Sequence, residues 1–172
     1  YAGAIGADLH CLGRDFGYVR EEGKWRFWGR RGRREGLAHP ALRGAHQLLN
    51  ASACLAVLDA LGERLPVAMN DVRKGLASVK WPGRFQVLPG RPAVVLDVAH
   101  NPEAAAVLAQ NLADMGSYPA THAVFGMLRD KDIAGACAAL QGRVSAWYAA
   151  TLAGARGAEA ATLAKAIRAT DA

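Results

Sequence analysis

The sequence has few cysteines, no long apolar run and no cluster of metal-binding residues. Its three cysteines, Cys11, Cys54 and Cys137, are far apart and lack CxxC spacing, which favours free thiols in a reducing compartment over a disulfide framework or a zinc site. No apolar segment reaches the roughly 18 residues that a bilayer-spanning helix needs, and no basic leader precedes an apolar stretch. These absences predict a cytoplasmic protein that does not contact membranes.

Basic charge is concentrated in one short run. The net charge is +6, and residues 30–34 hold four arginines. Such a run can mark a nucleic-acid-binding module, which stays open as an alternative. The aromatic residues just before it, Trp25, Phe27 and Trp28, alternate as in a strand and do not suggest a base-stacking platform. We therefore expect a solvated loop over residues 29–40 and no nucleic-acid partner.

The first half of the chain changes from strand patterns to helix patterns. Residues 8–28 are short runs punctuated by glycine, as in antiparallel hairpins. Residues 46–61 have apolar positions at helical spacing, and a second helix is predicted over about 66–77. Pro82 and Gly83 then break the chain, so we expect a domain boundary near residue 80.

The second half alternates strands and helices. Three apolar runs each precede a helix-forming segment, and this order predicts an α/β fold with a parallel sheet and no antiparallel pairing between the first two runs. The predicted strands cover residues 93–98, 122–126 and 144–149, and the predicted helices cover about 102–115, 131–141 and 158–169.

Polar residues follow the first of these strands where a ligand would bind. Asp97 lies at the carboxyl end of the strand, and His100 and Asn101 follow in the turn before a helix. Open parallel sheets bind ligands at this edge, and a helix N-terminus attracts anions. Asp97 could accept from ribose hydroxyls and His100 could donate to a phosphate. The alternative is that both residues only brace the turn.

Two further polar residues are candidates for nucleotide contacts. Arg84 lies beside Gly83 before the strand, and its planar guanidinium suits phosphate. Asn50, on the first predicted helix, can both donate to and accept from a nucleobase edge. Taken singly, each could equally be an ordinary solvated side chain.

Taken together, the motifs resemble a known family. The runs LRGAHQLLNASACLAVLDAL, WPGRFQVL, VVLDVAHNPEAAAVLAQNL and FGMLRDKDI occur in the order and spacing of the dihydrofolate synthase/folylpolyglutamate synthase family, of the Mur ligase superfamily. The resemblance implies that residues 1–79 are the tail of a central ATPase domain. Residues 80–172 would be part of a Rossmann-like C-terminal domain.

The resemblance also implies an activity. Family members use ATP and Mg²⁺ to phosphorylate a carboxylate of dihydropteroate or a reduced folate, and the amine of L-glutamate attacks the acyl phosphate. By matching motifs, Asn50 would contact adenine, Arg84 the phosphates and Asp97 the ribose. His100 would lie near the phosphates or the incoming glutamate.

The family's phosphate loop and magnesium ligands are not found in these 172 residues. Together with the non-methionine first residue, this leads us to expect an internal part of a longer, monomeric enzyme that has no ligase activity by itself. A Mur-type ligase acting on a peptidoglycan precursor is the alternative. Gln47 and the Phe85-Gln86 pair after Arg84 favour the folate branch.

Overall fold

The computed structural model describes residues 1–44 and 46–170. Ala45, within the predicted helix-start motif, and Asp171 and Ala172 lie outside the described residues. The chain forms two compact units, Tyr1–Pro82 and Gly83–Ala172, which are described separately below. The predicted α/β class is confirmed. None of the described helices combines the length and apolarity that a bilayer crossing requires.

The first unit consists of a three-stranded antiparallel sheet and two helices. A short 3-10 turn at Gly3–Ile5 comes before them. The strands follow one another in the sheet in chain order. The elements are β1 (Gly17–Glu21), β2 (Lys24–Gly29), β3 (Gly32–Leu37), α1 (Gln47–Ala60) and α2 (Met69–Ser78).

The predicted loop over residues 29–40 was wrong, because much of it forms β3. Arg30 and Arg31 are the two turn residues of a tight hairpin in which Gly29 pairs with Gly32. Gly32 has a φ of 103°, which suits glycine at this turn. The arginines of this segment led to the wrong prediction, because runs of charged residues are more typical of solvated loops than of strands.

Aromatic side chains on one face of the sheet form the core of the first unit. Trp25, Phe27 and Leu37 are completely buried, and the indole of Trp25 donates to the carbonyl of Ala38 at 2.9 Å. Burying a side chain of this size contributes about 1.5–3 kcal/mol. Helix α1 completes the core with residues that recur every three or four positions: Leu48, Ala51, Ser52, Leu55, Ala56 and Asp59.

A charged residue occupies one position of that buried stripe. The side chain of Asp59 is 3% exposed and forms an ion pair with Arg34 of β3. The same guanidinium lies 5.8 Å from the centre of the Phe27 ring. The second carboxylate oxygen of Asp59 is buried without a hydrogen-bond partner among the described residues. The ion pair therefore joins α1 to β3, and without Arg34 the buried charge of Asp59 would lower the free energy of unfolding.

In its described part, which ends at residue 170, the second unit contains four short strands and three helices. Each predicted strand and helix of this half has a counterpart that is one to three residues shorter in total, although α5 ends one residue later than predicted. The elements are β4 (Gln86–Leu88), β5 (Val94–Leu96), α3 (Pro102–Asp114), β6 (His122–Phe125), α4 (Ile133–Leu140), β7 (Ala146–Ala149) and α5 (Ala160–Thr170).

The sheet pairing of the second unit is mixed. Strands β6 and β7 are parallel, as predicted, with His122 opposite Ala146. Strand β5 instead pairs antiparallel with β4, which the sequence analysis did not foresee, with Gln86 opposite Leu96. Among the described residues no ladder joins β5 to β6. The first predicted parallel strand is thus half of a hairpin that also contains the segment after Arg84.

The two faces of the β6–β7 pair differ in burial. On one face Phe125 and Trp147 meet edge to face, with ring centres 5.4 Å apart, in the core that α3, α4 and α5 share. On the other face Val124 is 81% exposed and Tyr148 is 52% exposed. The pair is therefore packed on one side only within the described residues.

We predict that Arg34→Ala destabilises the first unit by about 3–5 kcal/mol, because it leaves the buried Asp59 without its partner. Arg33→Ala, which removes an exposed arginine from the same strand, should change stability by less than about 0.5 kcal/mol. Urea titrations followed by the indole NMR signal of Trp25 would measure both. Equal midpoints for the two variants would contradict the role given to the ion pair.

Candidate active site

A strained turn presents Arg84. Gly83 and Phe85, on either side of it, both have positive φ, 72° and 43°. A left-handed conformation is ordinary for glycine but costs about 1–3 kcal/mol for a bulky residue, so the surroundings must enforce it. The ring of Phe85 is buried, whereas Arg84 is exposed. Among the described residues the Arg84 side chain has no hydrogen-bond or ion-pair partner, which leaves it available to an anion.

Asp97 holds this turn in place. One of its carboxylate oxygens accepts from the N–H of Phe85 at 2.8 Å, and the other accepts from the N–H of Ala99 at 2.7 Å. The N–H of Val98 donates to the carbonyl of Gly83 at 2.9 Å. The β4–β5 hairpin makes these contacts possible, because it brings the residues after β5 beside the residues before β4.

His100 lies exposed in the next turn. Its Nδ1 is 3.0 Å from the carbonyl oxygen of Val98. A carbonyl can only accept, so Nδ1 carries the proton of this bond. The Nε2 atom is then free to accept from a ligand, or to donate to one when the ring is protonated.

The start of α3 satisfies much of its own hydrogen-bonding capacity. Asn101 caps the helix by accepting from the N–H of Ala104 at 2.7 Å, and Pro102 has no N–H to offer. The expected anion site at this helix terminus is therefore reduced, among the described residues, chiefly to the N–H of Glu103 and the helix dipole.

The structure brings together three of the four predicted site residues. Arg84, Asp97 and His100 surround the end of β5 in the second unit. Asn50 belongs to the first unit, where it is exposed on α1 and its Nδ2 is 3.5 Å from the Oε1 of Gln47. A polar edge of a purine could reach such an exposed amide.

The loops after β6 and β7 also lie at the carboxyl ends of parallel strands, and the sequence analysis named no site residue in them. The loops after β6 and β7 are joined by a hydrogen bond from the N–H of Ala158 to the carbonyl of Met127. Arg156 pairs with Asp130 at 2.7 Å, and this contact lowers the pKa of the Asp130 carboxyl. The basic residues Arg129 and Lys131 flank Asp130 in this loop. The sequence signal for this loop is the charged RDKD stretch of the FGMLRDKDI run.

The described residues do not form a metal-binding cluster. Among the described residues, no three His, Cys, Asp or Glu side chains lie close enough together to bind one. That none of the four site residues is a metal ligand stays a prediction.

Comparison with known proteins identifies similar sequences and folds. The family described as "Mur ligase, glutamate ligase domain" matches residues 83–172. Dihydrofolate synthase/folylpolyglutamate synthase of Escherichia coli K12 is 41% identical over 158 residues, which is 92% of this chain and 36% of that protein. The corresponding enzyme of Mycobacterium tuberculosis is 39% identical over 58% of this chain and 21% of its own length.

Solved structures agree with these sequence matches. Escherichia coli FolC in complex with DHPP and ADP superimposes with a TM-score of 0.84 at 40% identity, covering 97% of this chain and 39% of that one. A bifunctional folylpolyglutamate synthase/dihydrofolate synthase with Mn, AMPPNP and L-glutamate bound gives 0.80 at 38% identity, with 96% and 38% covered. The chain thus spans somewhat more than a third of the length of these proteins.

We predict that Asn101→Ala lowers the stability of the second unit by about 1 kcal/mol, because the N–H of Ala104 loses its acceptor. Asn101→Ser keeps a capping oxygen and should lie close to the unaltered protein. Trp147 is the one tryptophan between residues 83 and 172, so its NMR signal in a urea titration reports on this unit. Similar losses for the alanine and serine variants would argue against the cap.

Proposed function

The chain belongs to the Mur ligase family, and on that premise we propose that it is part of an ATP-dependent amide ligase that adds L-glutamate to dihydropteroate or to the γ-carboxyl of folates. Support for the folate branch comes from the relatives: the 41% identity to the Escherichia coli enzyme extends over 92% of the chain, beyond the family's own domain. Structures of similar proteins contain ADP with DHPP, or AMPPNP with Mn and L-glutamate.

One observation carries the assignment of the site. Arg84 is exposed and without a partner among the described residues, on a turn that Asp97 fixes beside the end of β5. A guanidinium held this way can donate to phosphate oxygens without first giving up an internal ion pair. Its position beside Asp97 and His100 fits a nucleotide whose phosphates meet Arg84 and whose ribose meets Asp97.

The reaction has two steps. In the first, the γ-phosphoryl group of ATP passes to a substrate carboxylate, giving ADP and an acyl phosphate. In the second, the amine of L-glutamate attacks the acyl carbon, an amide forms and inorganic phosphate leaves. Arg84 would stabilise the negative charge that accumulates on the phosphoryl oxygens. The Nε2 of His100 would accept from the amino group of the incoming glutamate or, with the ring protonated, donate to the phosphates, and Asn50 would contact adenine.

The remaining parts of the proposal concern the whole protein. Residues 1–79 would be the end of a central ATPase domain and residues 80–172 part of the Rossmann-like domain. We propose that the ligands of Mg²⁺ and the phosphate loop belong to other segments of the protein, since this chain matches only 39% and 38% of the length of the similar proteins that contain ADP, or AMPPNP with Mn. We expect a monomeric cytoplasmic enzyme without a nucleic-acid partner. Two arginines of the basic run are already engaged, Arg30 with Asp8 and Arg34 with Asp59.

A chimera tests this function directly. The 172 residues would replace the matching segment of the Escherichia coli enzyme, and ADP release would be measured with ATP, L-glutamate and dihydropteroate. We expect turnover in the chimera, and we expect Arg84→Ala to lower kcat by about 10²–10³-fold, as for loss of a donor to developing charge. Arg143→Ala is the matched control.

Arg143 is also exposed, but it precedes β7 and so lies toward the amino end of that strand, away from the edge at which ligands bind. Its removal should leave kcat unchanged. A folded chimera whose turnover is unaffected by Arg84→Ala would refute the site. A folded chimera without turnover, beside an active parent enzyme, would refute the function.

The 172-residue chain alone should release no ADP above background with the same substrates. Phosphoryl transfer needs the phosphate loop and magnesium to position ATP, and we assign neither to this chain. A coupled assay for ADP, with the chimera as positive control, measures this. Clear turnover by the isolated chain would show that the missing elements are not required.

A further inference from the structure

Building on the proposed function, we infer that Asp97 and Phe85 are positioning residues that aim Arg84, so that Asp97 governs phosphate binding through Arg84 and not solely through the ribose. The family resemblance implies only that a ribose hydroxyl contacts the Asp97 carboxylate. The positioning role of Asp97 follows instead from the geometry of the turn around Arg84.

Two hydrogen bonds straddle Arg84. On one side the carbonyl of Gly83 accepts from the N–H of Val98 at 2.9 Å. On the other side the N–H of Phe85 donates to the carboxylate of Asp97 at 2.8 Å. The peptide groups before and after Arg84 are thus both tied to consecutive residues at the end of β5, and this fixes the direction in which the Arg84 side chain leaves the backbone.

The conformation at Phe85 shows why the second tie is needed. A phenylalanine at a φ of 43° is strained, and such a conformation persists only where its surroundings hold it. The ring is held by burial, at 6% exposure, and the N–H is held by Asp97. Without the carboxylate, the backbone can relax toward negative φ, and Arg84 turns with it.

The carboxylate of Asp97 is itself fixed. Its other oxygen accepts from the N–H of Ala99 at 2.7 Å. Each oxygen keeps a further lone pair for a ligand, so bracing and ribose contact are compatible. The two roles of Asp97, bracing the turn and contacting ribose, can be separated by the choice of ligand. Binding of a ligand with phosphates but no ribose depends on the bracing role alone.

Inorganic tripolyphosphate is therefore the decisive probe. NMR titrations of the 172-residue chain with tripolyphosphate and with ATP would follow the Nε–H signal of Arg84 or, where Arg84 is replaced, the Phe85 and Ala99 amides. We expect Asp97→Ala to raise the Kd for tripolyphosphate by about tenfold, in line with the loss of a hydrogen bond to a charged group. In the Arg84→Ala background, Asp97→Ala should add no further loss, because the residue through which it acts is gone.

The matched control is Asp114→Ala at the opposite end of α3. Asp114 is also exposed and accepts a side-chain hydrogen bond, from Gln110 at 2.7 Å. Its removal should leave both Kd values unchanged. Amide hydrogen exchange at Phe85 should accelerate in Asp97→Ala and stay slow in Asp114→Ala, which tests the brace without any ligand.

Three outcomes have distinct meanings. If Asp97→Ala weakens ATP binding but not tripolyphosphate binding, or if the effects of Asp97→Ala and Arg84→Ala add, the inference is wrong and the proposed nucleotide site stands. If neither ligand shifts the Arg84 signal in the unaltered chain, the inference and the site both fail.

Asp97→Asn serves as the second variant if Asp97→Ala does not fold. It keeps one accepting oxygen, so it should weaken tripolyphosphate binding by less than tenfold. Unchanged tripolyphosphate binding in Asp97→Asn, with unchanged amide hydrogen exchange at Phe85, would also overturn the inference.

Discussion

The arrangement of the candidate site depends on the hydrogen bonds that the carboxylate of Asp97 accepts. With one oxygen it holds the Phe85 amide and with the other the Ala99 amide, so it connects the turn before β4 to the turn after β5. The orientation of Arg84 follows from the first connection. The path of the chain toward His100 and the start of α3 follows from the second. A single side chain thereby sets the geometry of groups that are up to 16 positions apart in the sequence.

The helices of this protein were largely predictable from sequence because their signals are local. Asn101 and Pro102 mark the start of α3, and periodic apolar residues mark α1. The strands β3 and β4 were missed for different reasons. Strand β3 forms a tight hairpin with β2, but its glycines and arginines are residues more typical of a loop. Strand β4 depends on pairing with β5 across an intervening loop. Its three residues, Gln86, Val87 and Leu88, are too few to show the alternation of a strand by themselves.

Candidate site residues could be named from the sequence, and their roles stay predictions, whereas the contacts between them could not be foreseen. Asp97 and His100 were candidates because they follow a strand, Arg84 was a candidate because it lies beside Gly83 before that strand, and the family resemblance connected the three. Neither the positive φ of Phe85 nor the double acceptance by Asp97 can be read from the letters, since both arise from an antiparallel hairpin that the alternating pattern did not suggest. The helix terminus shows the reverse error. The sequence predicted free backbone N–H groups at the start of α3. Asn101 and Pro102, which made the helix easy to predict, reduce their number, because Asn101 accepts from the N–H of Ala104 and Pro102 has no N–H.

The uncovered face of the β6–β7 pair has a consequence for handling the protein. Both strands are edges within the described residues, and their sequences, HAVF and AWYA, contain no Lys, Arg, Asp, Glu or Pro. Natural edge strands usually contain such residues, which discourage other chains from adding to the sheet. With Val124 and Tyr148 exposed beside those edges, concentrated solutions of the isolated chain should aggregate by intermolecular strand addition, and a charged substitution at Val124 is the first change to make for solubility.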